Sequence, residues 1–202
     1  AGNSDDWNLS NEDFTLEWWF YRTESGETAY FFDTRSADPF EEGWEVDGSN
    51  SRTIGFYDAG GLGDLARTSA ISDDAWHHVA FVRNGTTITS YVDGTADGSS
   101  SVSTTAIQAG SQFRVGTRFA DAGGEWYDFT GYIDEVRLSI GIARYTANFT
   151  TFGQGGGTIA SPTAFTADKY TKLLLHMDGS DSGTTFTDSS WTGAPRHTIT
   201  AN

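Results

Sequence analysis

Two strand-like runs joined by Asn84-Gly85 constrain this chain more than any other feature. The first, Trp76-His77-His78-Val79-Ala80-Phe81-Val82-Arg83, is apolar on both faces, as a central strand of a two-layer fold must be. The second, TTITSYVD at 86–93, is β-branched and aromatic. Asn-Gly accepts the positive φ angles of a tight turn whose twist suits the flanking strands, so the pattern predicts an antiparallel hairpin. Residues 14–21 place Phe14, Leu16, Trp18 and Phe20 on one face at period 2. Further strands are predicted at 27–33, 52–57, 112–116 and 130–138, with Asp93-Gly94 and Asp97-Gly98 ending the second hairpin strand. No segment holds a helical period, and residues 142–145 offer one turn at most. The fold class is all-β, an antiparallel sandwich or barrel.

Composition narrows the function classes. Twelve Lys+Arg face 28 Asp+Glu, a formal net charge of -16, which argues against nucleic acid and against docking on anionic lipid. That balance suits multivalent cations, neutral sugars or plain solubility. No apolar run approaches the roughly 20 residues of a membrane span. With no cysteine, thiolate catalysis, Cys-ligated zinc and disulfides are excluded. Only Lys169 and Lys172 are lysines, so the other basic residues are arginines. The first residues, Ala1-Gly2-Asn3-Ser4, do not resemble an initiator sequence, and a processed or excised chain is expected.

The β pattern breaks after Thr150. Gly153-Gln154-Gly155-Gly156-Gly157 and Pro162 mark a linker over 151–168, long enough to span up to about 60 Å when extended. Beyond it, 169–202 opens with an apolar strand containing Leu173, Leu174 and Leu175, followed by a turn and a short run around Phe186.

Four stretches carry a family resemblance. Phe14-Thr15-Leu16-Glu17-Trp18-Trp19-Phe20, the Trp76–Arg83 run, Thr89-Ser90-Tyr91-Val92-Asp93-Gly94 and Gly131-Tyr132-Ile133-Asp134-Glu135-Val136-Arg137 stand in an order that resembles laminin G-like domains. Gly141-Ile142-Ala143-Arg144-Tyr145 is similar to a bacterial and phage variant. The resemblance covers roughly 5–150 and implies a concanavalin A-like jelly-roll sandwich of two antiparallel sheets, a fold that hosts lectins, adhesion modules and glycanases. Such domains open with strands that here are missing from the front. Segments like them, 173–180 and 184–190, stand at the C-terminal end. The expected division is therefore a sandwich at 1–150 lacking its first strands, the linker, and a completing segment at 169–202. Three arrangements follow: a cut tandem array, closure of the chain's own sandwich, or donation of Leu173, Leu174, Leu175 and Phe186 to a neighbouring copy in a filament. An unfilled sheet edge beside an exposed core is untenable, so something fills it.

The chemistry is sparse. The resemblance implies Glu-x-Asp-x-x-Glu in glycanases of this fold; here Glu45-Val46-Asp47-Gly48-Ser49-Asn50 ends in Asn50, so the general acid is missing and Glu45 and Asp47 read as a solvated turn. His77 and His78 read as structural members of their strand, no catalytic partner being placed by sequence. The resemblance also implies a structural calcium ion, with Asp134 as ligand and Asp178 and Asp188 as partners from the displaced segment; solvated or Arg-paired carboxylates are the alternative. For glycan binding the candidates are Trp44 and the loop holding Asp121, Trp126 and Tyr127, each Trp beside glycine and acids; aromatics capping the sandwich end are the alternative. Trp7, Trp18, Trp76 and Trp191 read as packing residues. Asn84-Gly85-Thr86 and Asn148-Phe149-Thr150 match glycosylation acceptors. The expected function is a non-enzymatic extracellular module, at a cell or virion surface, for adhesion or assembly. Its partners are a glycan or other copies of itself, with no nucleic acid and no membrane insertion. A monomeric carbohydrate-binding module and a glycanase with a non-standard site are the alternatives.

Overall fold

The structure is a computed structural model and describes residues 6–24, 28–35, 43–102, 104–110, 112–118, 127–151, 164–178, 185–190 and 197–200. In chain order its strands are β1 (Phe14–Arg22), β2 (Ala29–Asp33), β3 (Trp44–Gly48), β4 (Ile54–Asp58), β5 (Gly63–Arg67), β6 (Trp76–Asn84) and β7 (Thr87–Val92). There follow β8 (Thr95–Ser101), β9 (Arg114–Val115), β10 (Gly131–Ile140), β11 (Thr171–Leu175), β12 (Thr185–Thr187) and β13 (Thr198–Thr200). They form a six-stranded sheet in the order β11-β10-β1-β6-β7-β8, a five-stranded sheet β5-β4-β3-β2-β9, and a β12-β13 pair. All pairings are antiparallel.

Alternation decides which side chains meet between the sheets. On β1, Phe14, Leu16, Trp18 and Phe20 turn inward and are wholly buried. Trp18 meets Phe31 and Phe32 of the facing sheet at ring distances of 5.4 and 4.9 Å. Val79 and Phe81 on β6 and Val46 and Phe56 on β3 and β4 complete the same core.

The hairpin predicted at Asn84-Gly85 forms, one residue later. Asn84 pairs with Thr87, so Gly85-Thr86 are the turn residues, with Gly85 at φ 60 in the first central position. Asp93-Gly94, expected to end the ribbon, instead turns it: Val92 pairs with Thr95, and both turn residues have positive φ, 50 and 78. The chain then returns as β8. Glu45-Val46-Asp47 is likewise not a turn but part of β3, with Val46 inward and the two acids outward. Residues 142–145 form no helix.

Residues 171–175 of the C-terminal segment join the six-stranded sheet. β11 lies along β10 with Val136 opposite Leu175, Arg137 opposite Leu174 and Leu138 opposite Leu173. Leu173 and Leu175 enter the core fully buried, and Phe186 packs against it. Burying two leucines supplies about 3–6 kcal/mol. The approach to β11 crosses the outer face of the six-stranded sheet, where Arg144 holds Asp168 through two bonds of 2.8 and 3.0 Å. Beneath it lies Glu17, fully buried. It accepts bonds from Arg137 (2.6 and 2.8 Å) and the Tyr145 hydroxyl (2.8 Å) and meets His78 Nε2 at 3.2 Å. Burial would raise its pKa, but His78 and Arg137 hold it below the ordinary carboxylate range.

Candidate functional site

The outward face of the five-stranded sheet carries two rows of chemistry set by strand register. One row runs Arg114–Asp33–Glu45–Tyr57–Asp64 across β9, β2, β3, β4 and β5. The next runs Tyr30–Asp47–Gly55–Arg67. Because directly opposite residues share a face, each acid lies beside a base or a ring. Gly55 leaves room there: a Cβ would displace the Arg67 guanidinium and the Asp47 carboxylate from their present positions. In the space it leaves, Arg67 grips Asp47 with two bonds of 3.0 Å and reaches Asp64 at 3.0 Å. Arg35 bridges Asp33 (3.0 Å) and Glu45 (2.5 Å). Burial pushes Glu45 up to about 7, Arg35 only partly opposing it while Asp33 and Asp47 add to it. Burial also raises Tyr30, with the Glu45 charge adding to the rise.

At the β9 end of this face an arginine is wedged between two tyrosines. Arg118 lies 4.5 Å from the Tyr127 ring centre and 5.2 Å from that of Tyr30, and its Nη1 donates to the Tyr30 hydroxyl at 3.2 Å. The two rings stand edge to face at 6.0 Å. Tyr127 is half-buried, and its carbonyl accepts the Tyr30 amide at 3.1 Å, which fixes the segment onto β2. Ring faces, a planar donor and adjacent carboxylates are the groups that contact the C–H face and the hydroxyls of a sugar.

Of the residues expected to bind glycan, Tyr127 is at this site. Trp44 is not. It is the inward neighbour of Glu45 on β3, wholly buried, with Nε1 donating to the Trp7 carbonyl at 2.9 Å. Alternation puts Trp44 in the core precisely where it puts Glu45 outside. Asp121 and Trp126 lie outside the described residues. Tyr30 and Arg118, which make the site, escape sequence reading because they are 88 positions apart. Trp76, expected to be a packing residue, is only partly buried.

The expected calcium ligands do not fit that ion as a set. Asp134 is half-buried on β10 and raised to about 6, chiefly by burial, with Glu135 and Asp178 adding to it. Asp178 is exposed. Asp188 is spent elsewhere. It accepts the backbone amides of Leu174 (3.2 Å), Ser190 (2.9 Å) and His197 (3.0 Å) and pairs with His197 Nδ1 at 2.9 Å. A hard cation needs six or more oxygens, and among the described residues no group of three potential ligands is placed to hold one.

The carboxylates and histidines weighed for catalysis have other partners among the described residues. Glu45 and Asp47 do project from one face of β3, but Arg35 and Arg67 occupy them and Asn50 stands in the turn beyond. His77 has the partners that sequence could not place: Nδ1 lies 2.8 Å from Asp93 and Nε2 lies 2.9 Å from the Ser72 hydroxyl. The other Asp93 oxygen accepts the His78 amide at 2.9 Å, and Asp93 itself sits in the β7–β8 turn. The set ties that turn to the start of β6. Acyl transfer would need oxyanion donors as well.

A sequence profile of the Laminin_G_3 family, described as the concanavalin A-like lectin/glucanases superfamily, matches residues 2–141. A search of curated proteins gives no match. Among solved structures, a candidate carbohydrate-binding protein from Bacteroides ovatus aligns at 17% identity with a TM-score of 0.67, covering 96% of this chain and 53% of that one. The chain thus spans about half the length of that protein. Mouse laminin α1 domains LG4-5 align at 17% identity and TM-score 0.49, covering 68% and 39%. The Ruminococcus gnavus IT-sialidase CBM40 bound to α2,6-sialyllactose aligns at 12% and 0.48, covering 59% and 72%. At these identities the likeness is one of fold.

Proposed function

The chain belongs to the concanavalin A-like lectin/glucanases superfamily, and on that premise we propose that it is a non-enzymatic, extracellular carbohydrate-binding module that serves adhesion. The observation that carries this reading is Arg118 set between Tyr30 and Tyr127 at the end of a sheet face lined with carboxylates. Tyr127, half-buried, offers its ring to a pyranose, buried Tyr30 holds the Arg118 guanidinium beside it, and the guanidinium offers donors to the sugar hydroxyls. The Bacteroides ovatus protein of like fold, itself a candidate carbohydrate binder, agrees with it. Bond cleavage finds no support, because the acids on β3 are bound to arginines. Filament growth by strand donation finds none either, because β11 already fills the β10 edge.

The test is a glycan array probed with the intact chain and with Arg118→Ala and Arg118→Lys. Binding by the parent, and for at least one glycan a tenfold or greater loss in both variants, is expected, since lysine restores charge but not the plane that stacks on the rings. An array without a hit, or variants that bind like the parent, would overturn the reading.

A further inference from the structure

The outer face of the six-stranded sheet holds a second set of aromatics that packing does not use up. Tyr21 on β1 is directly opposite Trp76 on β6 and Tyr132 on β10, so one register row spans three strands with a ring on each. The ring centres form a near-equilateral triangle: Tyr21–Trp76 6.0 Å, Tyr21–Tyr132 6.0 Å and Trp76–Tyr132 6.5 Å. Tyr132 is 63% exposed, the most exposed large hydrophobic side chain among the described residues. Gly131 sets it there: a Cβ at that position would strike the Tyr21 carbonyl oxygen, so only glycine lets β10 come this close to β1.

Polar groups border the row on both sides. Two residues along β10, on the same face, stands Asp134, opposite Trp19. Two residues the other way stand Thr23 and Thr130, both exposed and joined by the Thr23 amide donating to the Thr130 carbonyl at 3.2 Å. Among the described residues of the segment that crosses this sheet, Phe149 and Phe165 cover His78, one row away, at 5.7 and 6.0 Å.

Size and charge choose the occupant. A stable protein partner needs about 800 Å² per side. Three rings bury at most about 150–250 Å² each, and Tyr21 and Trp76 have already spent part of theirs. The patch is therefore the size of one or two sugar rings. A second copy of this chain would bring another net charge of -16 against Asp134 and Asp178. The same carboxylates repel sialic and uronic acids while accepting hydrogen bonds from hydroxyls. We infer that Tyr21, Trp76 and Tyr132 form a second glycan-binding site, on the sheet face opposite the Arg118 site, that stacks an uncharged pyranose with Asp134 and the two threonines fixing its hydroxyls. This rests on the carbohydrate-binding reading above.

The experiment titrates the intact chain with neutral oligosaccharides of glucose, mannose, galactose and xylose and with sialyllactose. It follows tryptophan fluorescence and calorimetric stoichiometry in the parent, Tyr132→Ala, Trp76→Ala and Arg118→Ala. Expected are two sugars per chain for at least one neutral probe and one per chain after Tyr132→Ala, with an unchanged melting temperature because that ring is exposed. Arg118→Ala should keep the site reported by Trp76 fluorescence. One site per chain, abolished by Arg118→Ala and untouched by Tyr132→Ala, overturns the second site and leaves the module reading standing. No sugar bound at all overturns both. Equal binding of sialyllactose at the Tyr132 site overturns the charge assignment. Self-association, or capture of a lysine-rich peptide, abolished by Tyr132→Ala overturns the sugar as occupant.

Discussion

Glu45 keeps its proton in the folded chain to a pH at which a solvated glutamate has lost it. The unfolded chain releases that proton near 4.5 and the folded chain near 7. Between those values the folded state binds more protons, so stability falls as pH rises through the window and levels off above it. The whole loss is at most about 3 kcal/mol. Glu45→Gln, which mimics the protonated form, should remove this slope: equal to the parent at pH 4, more stable at pH 8. Denaturant midpoints across that range check it, and a parallel slope in both proteins would refute the assignment to Glu45. Trp44 and Glu45 also show what one residue of alternation conceals. Beside glycine and acids, Trp44 looks like a binding-site tryptophan; only its inward turn, with Phe56 of neighbouring β4 and Phe113 just before β9 against its ring at 5.7 Å each, makes it a core residue. Tyr127, singled out by the same kind of neighbourhood, lies beside Tyr30 and Arg118, which were not singled out because register and not proximity in the chain brings them there.

At the scale of elements, strands built on alternating large apolar residues were legible, and strands held by their neighbours were not. β1 and β6 announce themselves through Phe14, Leu16, Trp18 and the Trp76–Arg83 run. β8, of sequence TADGSSS, has no propensity to speak for it and exists because the Asp93-Gly94 turn lays it along β7. The apolar strand holding Leu173, Leu174 and Leu175 was legible, yet the sheet it joins is a matter of where its bonds go. Here β11 bonds to β10, and the segment that carries it is organised by Asp188. This carboxylate ties Leu174, Ser190 and His197 together, while His197 Nε2 meets Asp6 at 3.2 Å and its ring packs on Trp7 at 4.3 Å. His197 is thereby fastened to Asp6 and Trp7. The Asp188 hydrogen bond raises the His197 pKa against the opposing effect of burial, with Asp6 adding to the rise. This contribution is present below about 6.5 and fades as pH climbs through the raised value. Asp188→Asn should cost about 2–3 kcal/mol, since it weakens charge-assisted bonds in a buried place. Excess chelator should leave the parent's melting temperature unchanged. A chelator-sensitive parent would make Asp188 a metal ligand after all.

For the whole molecule, in-chain closure and the distribution of its surface chemistry bear on adhesion together. With β11 on the β10 edge and a net charge of -16, copies have neither an open core to share nor an electrostatic reason to approach. On the two-site proposal, glycan sites on opposite faces of one sandwich supply a means of linking that needs no polymer. Their outward directions are set by the two sheets packing face to face, so a ligand on the Arg118 site cannot also reach the Tyr132 site. Each chain therefore joins two glycan strands instead of gripping one twice, and linking depends on chain concentration and not on assembly. The intact chain should sediment as a monomer of 21.9 kDa and still precipitate a neutral, multivalent polysaccharide, with turbidity rising to a maximum near equivalence and falling when protein is in excess. Tyr132→Ala and Arg118→Ala should each abolish precipitation while keeping one sugar bound per chain. Precipitation that survives either change would require linking through the protein itself, and an equilibrium mass above the monomer, lost on removing residues 169–202, would identify the C-terminal segment as the linker.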